Sequence, residues 1–174
     1  LHRVDLADAA AVQELASGLG ELDGLVLCAA PPPLPMALTA ETAGELSRYV
    51  AASLELAAVP LAALAPLLRR RGSWLLAFSA AAVEEPNREL PQLSAAKSAL
   101  EGLARAAAAT LPGTAVVIAR VPRMRTDLVN TPAARLRAAP PEVIAAELAD
   151  LLTGESLEPG VTVATPTGAG VPAP

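Results

Sequence analysis

Three short apolar runs, each separated from the next by a long stretch of helical spacing, constrain this chain more than any other feature. The runs cover residues 22–30, 74–79 and 114–121. They are continuous rather than alternating, as in strands buried on both faces. Helical spacing marks residues 7–19, with Val12, Leu15, Ala16 and Leu19 on one face, and 92–111, with Leu93, Ala96, Leu100, Leu103, Ala107 and Leu111 on one stripe. It also marks a long segment, 39–71, and a shorter one, 141–152. Residues 1–5 read as the end of a strand and 161–163 as a short last strand. Strands alternating with helices of this length predict parallel crossovers and an open α/β sheet.

Local signals punctuate the pattern. Asp5 or Asp8 can cap the first helix by accepting its free amides. Arg69, Arg70 and Arg71 suit the negative end of the long helix, and Gly72 supplies its stop. Residues 31–35, with four prolines, form a loop, as do 83–91 and the segment carrying Arg123, Arg125, Arg135 and Arg137. Residues 1–164 are expected to form one domain and 165–174, rich in Pro, Gly and Ala, a loose tail.

Composition removes several function classes. The chain has 174 residues, 53% of them apolar and 18% charged, which fits one packed domain. Trp74, Tyr49 and Phe78 are the only aromatic residues and the net charge is −5, so neither base stacking nor binding to phosphate backbones is expected. One cysteine, Cys28, excludes a disulfide framework. One histidine, His2, excludes His-based metal sites and Ser-His-Asp hydrolysis. The most apolar stretch, 51–68, carries Glu55, Pro60 and Pro66 and is mostly alanine, so it reads as a core or interface helix, not a membrane span. A first residue of Leu1 implies a piece of something longer. No secretory signal is visible, and the default expectation is a cytoplasmic protein.

Three features in order resemble the short-chain dehydrogenase/reductases, in particular the ketoreductase-like domains of polyketide and fatty-acid synthases. The first is Val4-Asp5-Leu6-Ala7-Asp8 at a strand end, where the resemblance implies that Asp5 contacts adenine. The second is Ser79 at a strand end, followed by Leu93-Ser94-Ala95-Ala96-Lys97 opening a long helix, where the family has Ser and then Tyr-x-x-x-Lys. The third is Arg120-Val121-Pro122-Arg123-Met124-Arg125-Thr126-Asp127. It is similar to the family's Pro-Gly-x-x-x-Thr, whose threonine, here Thr126, holds the nicotinamide amide. The likeness spans 4–152. It implies a Rossmann-like parallel sheet with helices on both faces, lacking the first βαβ cofactor-binding unit in this chain.

The departures bear on activity. Leu93 stands where the catalytic tyrosine would be, and a leucine has no proton to give to a carbonyl oxygen. Losing a general acid typically costs a factor of about 10² to 10⁴. The family's Asn-Asn-Ala-Gly is Cys28-Ala29-Ala30-Pro31, with Ala29 in a position that implies cofactor contact. The helix asparagine is replaced by Ser53, and the glycine of Pro-Gly by Arg123. The interval from Ser79 to Lys97 is 18 positions, one longer than the commonest form. The family's Gly-rich phosphate turn would lie upstream of anything present in this chain. Gly18-Leu19-Gly20 with Gly24 precedes a strand instead of following one and reads as a helix stop.

Each remnant also has a plain structural reading: Lys97 as a surface lysine, Ser79 as a hydroxyl serving its own strand end, Asp5 as a helix cap, Cys28 as a small core residue. The arginines 120–137 either grip a phosphopantetheine phosphate or an acidic carrier, or are a solvated face or pair with Glu142 and Glu147. The expected function is a catalytically silent ketoreductase-like domain with no cofactor of its own. It would self-associate or hold neighbouring synthase domains through helices 39–71 and 92–111, and could dock an acyl carrier protein. The alternative is an NADPH-dependent reductase whose cofactor half lies upstream or in another chain, its proton coming from Ser94 or water. No metal, nucleic acid or membrane is expected in either case.

Overall fold

The computed structural model describes residues 2–68, 72–126, 138–154 and 157–168. Four strands, β1 (Gly24–Leu27), β2 (Trp74–Ala80), β3 (Ala115–Val121) and β4 (Gly160–Ala164), form one sheet in the order β1-β2-β3-β4. Every neighbouring pair is parallel, with Leu27 beside Ala77, Ala77 beside Ile118, and Ile118 beside Val163. Parallel neighbours need crossovers. The connecting helices are α2 (Ala43–Leu64), α3 (Pro91–Thr110) and α4 (Pro141–Thr153), with α1 (Ala9–Ser17) ahead of β1.

The sheet separates two cores. On one face Leu27, Leu75, Ala77, Val116 and Ile118 pack against Ala57 and Leu61 of α2 and Leu100, Ala104 and Ala107 of α3. On the other, Leu76, Val117, Ala119 and Val121 meet Ile144 and Leu148 of α4. Alternate residues of β2 and β3 thus go to opposite cores, which explains their unbroken apolar runs. Helices do lie on both faces.

Residues 2–5 form no strand, since none of the four described strands pairs with them; Asp5 closes a local turn by accepting the Ala7 amide at 3.0 Å. Asp8 is the cap of α1, its Oδ1 accepting the amides of Ala10 at 3.0 Å and Ala11 at 3.1 Å. The long helix begins four residues later than its periodicity suggests. Thr42 Oγ1 accepts the Thr39 amide at 3.1 Å and so holds 39–42 as a turn. α2 gives way to a 3₁₀ turn, Ala65–Leu67, at Pro66. Arg69, Arg70 and Arg71 lie outside the described residues; Gly72 follows with φ 88°, a left-handed conformation suited to glycine.

Of the expected loose tail, the described part is tied down. Glu147 accepts the amides of Thr167 at 3.0 Å and Gly168 at 2.9 Å, and Pro166 is buried. Residues 169–174 lie outside the description. The segment Ala43–Leu67 is long and apolar enough to cross a membrane by length and composition, with a mean hydropathy of 1.8. Here it packs against α1, α3 and the sheet.

Candidate functional site

Two of the remnants, Cys28 and Lys97, lie at the carboxyl ends of β1 and β2, beside the start of α3. Cys28 leaves β1 just past the Leu27–Ala77 pair and is exposed, not a core residue, because the strand ends before it. Across from it, Lys97 Nζ donates to the Phe78 carbonyl at 2.7 Å. Lys97 is therefore no surface lysine. Burial pushes its amine below the ordinary lysine range, a shift that Cys28 partly opposes.

Ser79 points away from this opening. It is 1% exposed, and its hydroxyl donates to Glu101 Oε1 at 2.7 Å rather than to its own strand end. Glu101 lies one turn beyond Lys97 on α3. Arg120, from β3, grips the same carboxylate along one edge of its guanidinium, Nε to Oε1 at 2.8 Å and Nη2 to Oε2 at 2.7 Å. Its remaining Nη1 pairs with Glu84, and Arg105 stands 3.7 Å from Glu101. The Arg120 hydrogen bonds hold the Glu101 carboxyl below the usual carboxylate range. Arg120 thus pairs with Glu101 and Glu84, not Glu142 or Glu147, because its strand aims it at α3. Arg125 donates to the Ala138 carbonyl at 2.9 Å. Arg135 and Arg137 lie outside the described residues.

Leu93 is half-buried in the first turn of α3. Beside it, Ser94 Oγ and Gln92 Oε1 are buried with no partner among the described residues, while Gln92 Nε2 donates to the Leu34 carbonyl at 2.6 Å. The residue 17 positions before Lys97, the commonest family interval, is Ala80, which has no hydroxyl. Ser53 Oγ donates to the Tyr49 carbonyl one turn back at 2.8 Å, so the hydroxyl replacing the helix asparagine serves its own helix. Ala29 and Thr126 are half-buried, and the Thr126 amide donates to the Met124 carbonyl at 2.9 Å. Asp5 lies apart, in a surface cleft with His2, Arg3 and Glu14.

Gly18 and Gly24 serve capping and packing rather than a phosphate-binding turn. Gly18 caps α1, and a Cβ on Gly24 would fall 2.3 Å from the Trp74 ring, so that glycine serves strand packing. No group of His, Cys, Asp or Glu among the described residues could hold a metal. Sequence reasoning passed over Glu101 and its network. The signal was Arg120 itself, a charge within an apolar strand run that requires a buried partner.

A Rossmann-like sheet with Lys97 opening onto its carboxyl edge defines a protein of the short-chain dehydrogenase/reductase class. The family model described as enoyl-(acyl carrier protein) reductase matches residues 3–160, and the chain belongs to that family. No protein of curated function matches it. Levodione reductase superposes with TM-score 0.81 at 20% identity, over 95% of this chain and 74% of that one. The 3-ketoacyl-(acyl-carrier-protein) reductase from Brucella melitensis, complexed with NADH, gives TM-score 0.78 at 21% identity, over 95% and 76%. A short chain oxidoreductase from Pseudomonas aeruginosa PAO1, NADPH-bound and containing an atypical catalytic center, gives 0.78 at 16%, over 97% and 74%.

Proposed function

We propose that this chain is a catalytically silent ketoreductase-like domain whose work is to hold other protein domains in place within a larger synthase. One observation carries the reading: Leu93 occupies the head of α3 while the only serine at the end of β2, Ser79, is committed to Glu101. A carbonyl at this opening would meet no phenol on α3, and Ala80 offers it nothing. Arg123 in place of glycine likewise speaks against a nicotinamide seated at this edge.

The outer surfaces of α2 and α3 support the positioning role. Only 22% of the most apolar window of the long helix is buried. Between the two helices runs an open apolar groove lined by Leu61, Ala62, Pro66, Leu103, Ala106 and Leu111. Apolar helix surface of this kind gains from being covered by a second copy or a neighbouring domain. An acyl carrier protein is a further partner of such a domain.

The test is NADPH oxidation by the intact parent protein with ketone and ketoacyl thioester substrates. No turnover is expected. Rates in the ordinary enzyme range, about 1 to 10³ s⁻¹, would overturn the reading. A second reading, an NADPH-dependent reductase, is favoured by the Pseudomonas neighbour, which binds NADPH around an atypical centre. NADPH-dependent thermal protection separates the two, since a ligand selective for the folded form raises apparent stability.

A further inference from the structure

The loop after β1 is not a passive connection. Pro31-Pro32-Pro33-Leu34-Pro35-Met36 crosses the carboxyl side of the sheet without regular hydrogen-bonded structure. Three contacts nevertheless fix it. Tyr49 Oη donates to the Pro31 carbonyl at 3.0 Å, Gln92 Nε2 to the Leu34 carbonyl at 2.6 Å, and the Met36 amide to the Glu89 carbonyl at 2.9 Å. Gln92 is wholly buried, so this anchor belongs to the core.

Proline fixes its own φ and drives the preceding residue into the extended region. Prolines at 31, 32, 33 and 35 therefore bias residues 30–35 towards polyproline II, with three residues per turn. Pro31, Pro33 and Met36 are half-buried against the domain, while Pro32, Pro35 and Leu38, three apart and so on one edge of such a helix, are exposed. Leu34 adds a second outward edge at 66% exposure, and Leu38 stands at 72%. The edge formed by Pro32, Pro35 and Leu38 faces out along its whole length.

We infer that residues 31–38 are a preformed polyproline-II ligand for a partner domain presenting an aromatic-lined groove. Such grooves read two outward ridges of a Pro-x-x-P segment, here Pro32 to Pro35, and gain affinity because the strap's order already exists. Acidic groups flank the segment, Glu41 at its end and Glu85 and Glu89 beside its anchor, with Arg88 between the last two, so the partner's rim is basic. The inference stands whether or not the chain reduces any substrate.

The experiment titrates the intact chain with three purified modules that read polyproline II, an SH3, a WW and an EVH1 domain, by calorimetry. At least one is expected to saturate, to weaken as salt is raised, and to lose affinity at least tenfold against the Pro35→Ala/Leu38→Ala variant. Both positions are exposed, and circular dichroism confirms folding. The exposed pair Val161→Ala/Val163→Ala on β4 is expected to bind like the parent. Absence of saturation by all three up to about 1 mM, or equal affinity for the strap variant, overturns the inference. So does self-association in light scattering that the strap variant abolishes, because the occupant would then be a second copy of this chain.

Discussion

The Ser79 hydroxyl donates to Glu101 Oε1 at 2.7 Å, which binds the end of β2 to the middle of α3. Ser79→Ala removes one donor but leaves the carboxylate in the Arg120 fork, so the expected cost is about 1 kcal/mol. Glu101→Leu strips the acceptor from a buried serine and from Arg120 together and is expected to cost more. Urea unfolding of the two variants gives the order; equal midpoints would show that the fork contributes nothing.

Acid should weaken the same network. Because the folded Glu101 carboxyl titrates below its unfolded counterpart, its contribution is present above about pH 4 and is lost as pH falls through the folded value. The stability difference between the parent and Glu101→Gln is therefore expected to shrink on acidification below pH 4. A difference that stays constant there contradicts the assignment.

Lys97 carries the opposite sign. Burial lowers the folded value, so between it and the unfolded lysine near about 10.4 the unfolded chain binds more protons. Stability relative to Lys97→Met is expected to rise as pH is taken from 8 towards 10, read from paired denaturation midpoints. A flat difference would mean that the amine is as well solvated folded as unfolded.

Gly24 and Trp74 form a steric pair. A Cβ on Gly24 would sit 2.3 Å from Trp74 Cε2, so Gly24→Ala is expected to cost about 1 to 3 kcal/mol by overpacking. In a Trp74→Val background the same change should cost much less. An additive double-mutant cycle would remove the steric account.

Activity should not return through one residue. Leu93→Tyr supplies a phenol, yet Ser79 stays bound to Glu101 and Ala80 has no hydroxyl. The variant is expected to oxidise NADPH at the blank rate with ketoacyl thioesters. Turnover in this single variant would place the whole loss at one position.

The alternation of apolar runs and helical stretches determined the parallel sheet, its strand order along the chain and the helices around it, because burial on both faces leaves continuous apolar strands. Leu93 at the head of α3 was equally legible, since the family's Tyr-x-x-x-Lys spacing needs no coordinates. Only the tertiary structure decided where the charged and hydroxyl groups point. Ser79, Lys97 and Arg120 meet their partners across 22, 19 and 19 residues of chain, and side-chain direction at that separation depends on how strand and helix are packed. The same holds for the strap: its prolines are visible in the sequence, but the buried Gln92 that fixes it lies 58 residues away from Leu34. Periodicity reports which face is buried; it carries no information about which distant partner a buried polar group finds.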